Sequence, residues 1–150
     1  MGTFHFRMST LLRIRENVRD ECWLHLTESQ RAEDIVVARI LEIDDELAHL
    51  RRHAQHVSGP GKVNVDRLLD ACRFEMILKA EKMAAEEQLR VVAAEVERRR
   101  ELLVEADREV KVLEKLRQQQ STRHRLEESK RDVKRLDAAA LQLTYLKEPA

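Results

Sequence analysis

The chain has 150 residues, of which 37% are charged and 3% aromatic, and its 28 basic and 28 acidic side chains cancel to a formal net charge of zero. Its length fits one domain, and a composition dominated by Ala, Glu, Lys, Leu and Arg is the profile of long helices or coiled coil, not of a mixed globular fold. The balanced charge argues against nucleic-acid binding, which asks for a clear basic excess.

Only three glycines and two prolines occur, and Gly59, Pro60 and Gly61 stand together in Ser58-Gly59-Pro60-Gly61, with Gly2 and Pro149 at the ends. Breakers so placed predict two uninterrupted helices, over 6–57 and 63–146, joined by a turn at 58–62. The expected fold is all-α: a single antiparallel two-helix coiled-coil hairpin whose longer second helix overhangs the first.

Along the first helix, Val36, Ile40, Ile43, Leu47, Leu50, Ala54 and Val57 alternate steps of four and three, which is a coiled-coil seam. Towards the N-terminus the stripe weakens at Glu33 and Ser29 and resumes at Leu26, Cys22 and the Leu11/Leu12 pair. After the turn, Val65, Leu69, Cys72, Met76, Ala80 and Met83 predict a second seam, continued by Leu89, Ala93, Val96, Leu103, Ala106, Val110 and Leu113. Folding the chain about the turn sets Val65 against Ala54, Leu69 against Leu50, Cys72 against Leu47 and Met76 against Ile43. Further along, Met83 falls against Val36, Ala93 against Leu26, and Val96 against Trp23.

This register places the first helix's end, near Phe4 and Phe6, opposite Leu113 and Leu116. Beyond it comes the polar run Gln118-Gln119-Gln120-Ser121-Thr122, and then a renewed apolar stripe at Leu126, Ser129, Val133, Leu136, Ala140 and Leu143. A regular apolar stripe with nothing in its own chain to cover it points to a partner. Charge is uneven here too, with eight basic and three acidic residues over 115–135 and three arginines without an acid over 1–15. Together they form a basic collar at the base of the overhang, suited to an acidic protein surface or anionic lipid. The amphipathic start Phe4-His5-Phe6-Arg7-Met8 offers a surface for peripheral membrane association, or closes the end of the coiled coil.

Cys22 and Cys72 fall on the seams, far apart, where thiols serve as small hydrophobes. The start lacks an apolar signal-peptide core and no run approaches a membrane span, so a cytoplasmic protein with reduced thiols is expected. There is no Gly-rich phosphate loop and no cleft to perturb a carboxylate, so neither catalysis nor a cofactor is expected. His49, His53 and His56 share a helical stripe without an acidic or thiol ligand and read as solvated histidines, not as a metal site. Phe74, Leu78, Glu81 and Ala85 form another stripe, nearly opposite the Cys72/Met76/Met83 seam, and predict an outward docking patch.

The opening Phe4-His5-Phe6-Arg7-Met8-Ser9-Thr10-Leu11-Leu12-Arg13-Ile14-Arg15-Glu16 resembles the start of the flagellar export protein family FliJ. Glu109-Val110-Lys111-Val112-Leu113-Glu114-Lys115-Leu116 and Lys134-Arg135-Leu136-Asp137 are similar to the family's C-terminal signature. The resemblance implies an antiparallel two-helix coiled coil, like the central stalk of rotary ATPases, within the flagellar type III export apparatus. It implies as partners the hexameric export ATPase, the membrane export gate and export chaperones. The family's gate-binding stripe aligns onto Phe74, Leu78, Glu81 and Ala85, with Glu81 in place of a small residue and Ala85 in place of a larger polar one. The ATPase ring is expected to meet Leu126, Val133, Leu136, Asp137, Ala140 and Leu143, with Phe4, Phe6 and Arg7. Two alternatives stand beside this: the equivalent stalk of a virulence injectisome, and a homodimer made by pairing two overhangs.

Overall fold

In a computed structural model, which describes residues 3–147, the chain forms two α-helices, α1 (Ser9–Val57) and α2 (Val65–Lys147). They pack against one another, and no strand occurs among the described residues.

Each helix end has a local cause. Residues 6–8 make a turn instead of the first helical turn, closed by the Ser9 N–H donating to the Phe6 carbonyl at 3.1 Å, and this lets Phe6 fold inward. At the far end of α1 the Ser58 N–H and Oγ both donate to the Ala54 carbonyl, at 3.0 and 2.7 Å, satisfying a group the helix leaves open. Gly61 turns the chain with φ 155°, a backbone state that side chains other than glycine rarely adopt. Asn64 then caps α2, its Oδ1 accepting from the Arg67 N–H at 3.3 Å, and Asp66 adds a favourable charge to the first turn.

The chain divides into two compact units, Glu21–Val104 and the combination of Met1–Asp20 with Glu105–Ala150. In the first, the α1 seam is as the spacing predicts: Leu26, Val36, Ile43 and Leu47 are buried, and Ile40, Leu50, Ala54 and Val57 are half-buried. The α2 seam is not. Leu78, not Met76, packs with Ile43 and Leu47, and Leu50 closes over them. The expected seam residues Val65, Leu69, Cys72, Met76, Ala80 and Met83 are all exposed, Met76 by 72% and Met83 by 70%. Trp23, expected against Val96, is also exposed, although Val96 itself is buried.

The physical reason is that two seam positions are charged. The buried and half-buried residues Ala71, Glu75, Leu78, Lys82, Ala85, Leu89, Val92 and Val96 keep an unbroken alternation of four and three. Glu75 and Lys82 are tolerated there because each is paired: Lys82 with Asp44 of α1 at 2.6 Å, and Glu75 with Lys79 of its own helix at 2.8 Å and, further off, with Arg51 of α1 at 3.8 Å. Their stems cover apolar surface while the charged ends stay near solvent.

In the other unit, Phe6, Leu12 and Val110 form a buried cluster against which Phe4, Leu113 and Leu116 pack. Arg15 pairs with Glu109 across the two helices at 2.6 Å. The Phe4 ring lies 5.8 Å from the His124 ring, tilted by 55°. From residue 129 to residue 147 every side chain of α2 is exposed.

Candidate docking surfaces

The terminal part of α2 carries the first candidate surface. Leu126, Val133, Leu136 and Leu143 are 53–70% exposed, and Asp137 and Ala140 are exposed among them. Leu141, Tyr145 and Leu146, which the 3-4 stripe did not single out, widen the apolar face and are exposed as well. Where this segment begins, Lys115, Gln118, Gln119, Thr122, Arg123 and Leu126 line an open groove of about 480 Å³. The N-terminal residues grouped with this surface divide: Arg7 is exposed, Phe4 is half-buried, and Phe6 is taken up by the cluster with Leu12 and Val110.

The second candidate, Phe74, Leu78, Glu81 and Ala85, does not form one outward stripe. Leu78 is only 2% exposed and Ala85 8%, so both belong to the packed seam. Phe74 remains at the surface, 48% exposed. Glu81 also stands outside, where its Oε2 accepts from Arg39 at 3.0 Å. Arg39 bridges further to Glu42 and Glu46, and these carboxylates, with the Glu42 hydrogen bond foremost, raise its pKa above the ordinary value. Leu78 and Ala85 turn inward with the seam: the rotation of α2 that exposes Met76 carries both of them against α1. The six-residue step between Met83 and Leu89 was the signal in the sequence. A 3-4 alternation carried back from Leu89 arrives at Ala85, Lys82, Leu78, Glu75 and Ala71 instead.

Among the described residues, no three His, Cys, Asp or Glu side chains are grouped to hold a metal, and no helix is long and apolar enough to cross a membrane. What these surfaces can do is bind other helices or apolar protein surfaces. Over residues 4–148 the sequence matches the family model described as flagellar FliJ protein. The chain belongs to the FliJ family. No curated protein and no solved structure matches it. FliJ proteins are non-catalytic components of flagellar export, and an association of this FliJ-family chain with the flagellar export apparatus follows from membership.

Proposed function

We propose that this FliJ-family chain is a stalk-like coupling component of the bacterial flagellar type III export apparatus, linking the hexameric export ATPase ring to the membrane export gate. The observation that carries this reading is the exposed apolar face of α2 from Leu126 to Leu146, which no described residue of the chain covers. A helix presenting so much apolar surface gains free energy by entering a partner. The ring is the occupant on this reading, with Leu126, Val133, Leu136, Asp137, Ala140 and Leu143 in contact and Arg7 at the rim. The chain then works in the cytoplasm, at the inner face of the membrane, where export chaperones are further partners.

For the gate, Phe74 is the side chain that touches and Glu81 its polar neighbour. Leu78 and Ala85 act from beneath, by holding α2 against α1 so that Phe74 is presented.

ATP turnover by the cognate export ATPase, measured with and without the chain, tests the stalk. Stimulation is expected from the native sequence and a clear loss of it from Leu136→Asp or Val133→Asp. An active hexameric ATPase indifferent to the native chain overturns the reading.

A further inference from the structure

The rotation of the α2 seam leaves an apolar stripe that the stalk reading does not use. Val65, Leu69, Cys72, Met76, Ala80 and Met83 lie within the Glu21–Val104 unit, and all are exposed. At 100° per residue they occupy a sector of roughly 80°, nearly opposite Ala71, Leu78 and Ala85, which face α1. The helix is therefore apolar on two sides. One side is covered by α1, and the other carries coiled-coil spacing with no cover among the described residues.

Two features of the stripe specify its occupant. The first is that its spacing is self-complementary when turned end for end. In one register Val65 meets Met83 of a second copy, Leu69 meets Ala80, Cys72 meets Met76, and the same contacts repeat by two-fold symmetry. The second is the charge at its ends. Lys62 stands in the turn, three residues before Val65 and outside α2, and Glu87, held by Arg90 at 2.6 Å, is the next position of the stripe after Met83. The antiparallel register brings the turn that carries Lys62, on each copy, towards the end of the stripe at Glu87 of the other. A parallel in-register pair would set lysine against lysine and glutamate against glutamate.

We propose that this stripe is an isologous antiparallel contact between two copies of the chain. Covering its six side chains on both copies removes on the order of 1,000 Å² from water, the lower limit for a specific interface. A contact of this size belongs to the weak, transient class. Met76 and Met83 suit such a contact, since unbranched thioethers adapt to a partner surface. The contact is independent of the stalk reading, and it uses a different part of α2 from the ring-facing stripe.

Sedimentation velocity of the full-length chain across the micromolar range is the first test. The native chain is expected to show a monomer–dimer equilibrium, and Leu69→Asp with Met76→Asp to weaken it by at least about tenfold. Leu136→Asp serves as a control that leaves dimerisation unchanged, and helix content by circular dichroism confirms that each variant folds. A native chain that stays monomeric overturns the proposal. So does dimerisation that survives Leu69→Asp with Met76→Asp, or is lost only in Leu136→Asp.

Oxidative crosslinking tests the register. Val65→Cys with Met83→Cys, in a background of Cys22→Ser and Cys72→Ser, puts two thiols some 27 Å apart along one helix, too far to pair within a chain. Peptide mapping is expected to find position 65 joined to position 83 of the second copy. Dominant joining of 65 to 65 overturns the antiparallel arrangement.

Discussion

Lys82 Nζ donates to Asp44 Oδ1 at 2.6 Å, joining α2 to α1 from a position in the seam where coiled coils ordinarily carry an apolar residue. One heptad earlier, Glu75 reaches Arg51 at 3.8 Å from an equivalent position. Leu78 sits between these two charged residues and fills the space against Ile43 and Leu47. Polar residues at seam positions lower stability but restrict which register is acceptable, because a slipped pairing loses the partner on α1 and leaves Glu75 and Lys82 only Lys79 and Glu86 of their own helix. On that basis Glu75 and Lys82 select the phase that buries Leu78 and exposes Met76.

Substitution at these two positions gives the plainest check of that phase. Leu78→Ala removes a side chain that is 2% exposed and is expected to cost about 2–4 kcal/mol. Met76→Ala, on a residue 72% exposed, is expected to stay within about 0.5 kcal/mol. Chemical denaturation of the two variants reads the difference directly, and the reverse order would restore Met76 to the seam.

The charged residues of the seam give stability a defined pH dependence. The Asp44 hydrogen bond, as the leading cause, raises Lys82 above its ordinary 10.5. A cation so raised contributes fully below 10.5, and its contribution is lost as pH climbs through the higher folded value. Glu75 is lowered from 4.5, first by the hydrogen bond from Lys79 and last by Arg51. Its contribution is complete above 4.5 and disappears as pH falls through the lower folded value. Thermal melts are expected to be flat from about pH 5 to about pH 10 and to fall on both sides. Lys82→Met should flatten the alkaline limb, and Glu75→Gln the acid limb. Added salt should weaken both effects, because these side chains remain in contact with solvent.

At the other end, Phe6 is buried with Leu12 and Val110 although it precedes the first residue of α1. Phe6→Ala is expected to cost about 3 kcal/mol locally by opening a cavity that Phe4, Leu113 and Leu116 cannot fully close. Amide hydrogen exchange provides the readout. The first turns of α1 and the amides around Val110 should exchange faster, and Arg15 should lose its fixed approach to Glu109. Unchanged exchange there would mean that Phe6 contributes no packing.

Much of this architecture is legible in the residues themselves. With Gly59, Pro60 and Gly61 as the only internal breakers, two long helices follow directly. The stripe from Val36 to Val57 fixes the inward face of α1 without ambiguity, since no competing stripe of comparable regularity runs beside it. On α2 two apolar stripes compete between Val65 and Ala85. The one richer in large apolar residues is the exposed one, because Glu75 and Lys82 interrupt the other. A phase that turns the Met76 stripe inward also turns Phe74, Leu78, Glu81 and Ala85 outward together, whereas in the folded protein only Phe74 and Glu81 stand outside.

The sequence alone determined that the chain is two helices about a Gly-Pro-Gly turn, that α2 is the longer, and that Leu126 to Leu143 lie beyond the reach of α1. These are consequences of local backbone preference and of counting residues from a turn, and both are present in the order of the amino acids. The phase of α2 was decided by tertiary structure. Periodicity scores a charged residue as a break in an apolar seam, whereas in the folded protein Lys82 beside Asp44 and Glu75 beside Arg51 extend it. Charge pairing across two helices depends on which residues are brought together. No single helix contains that information, and the apolar stripe left exposed on α2 follows from it.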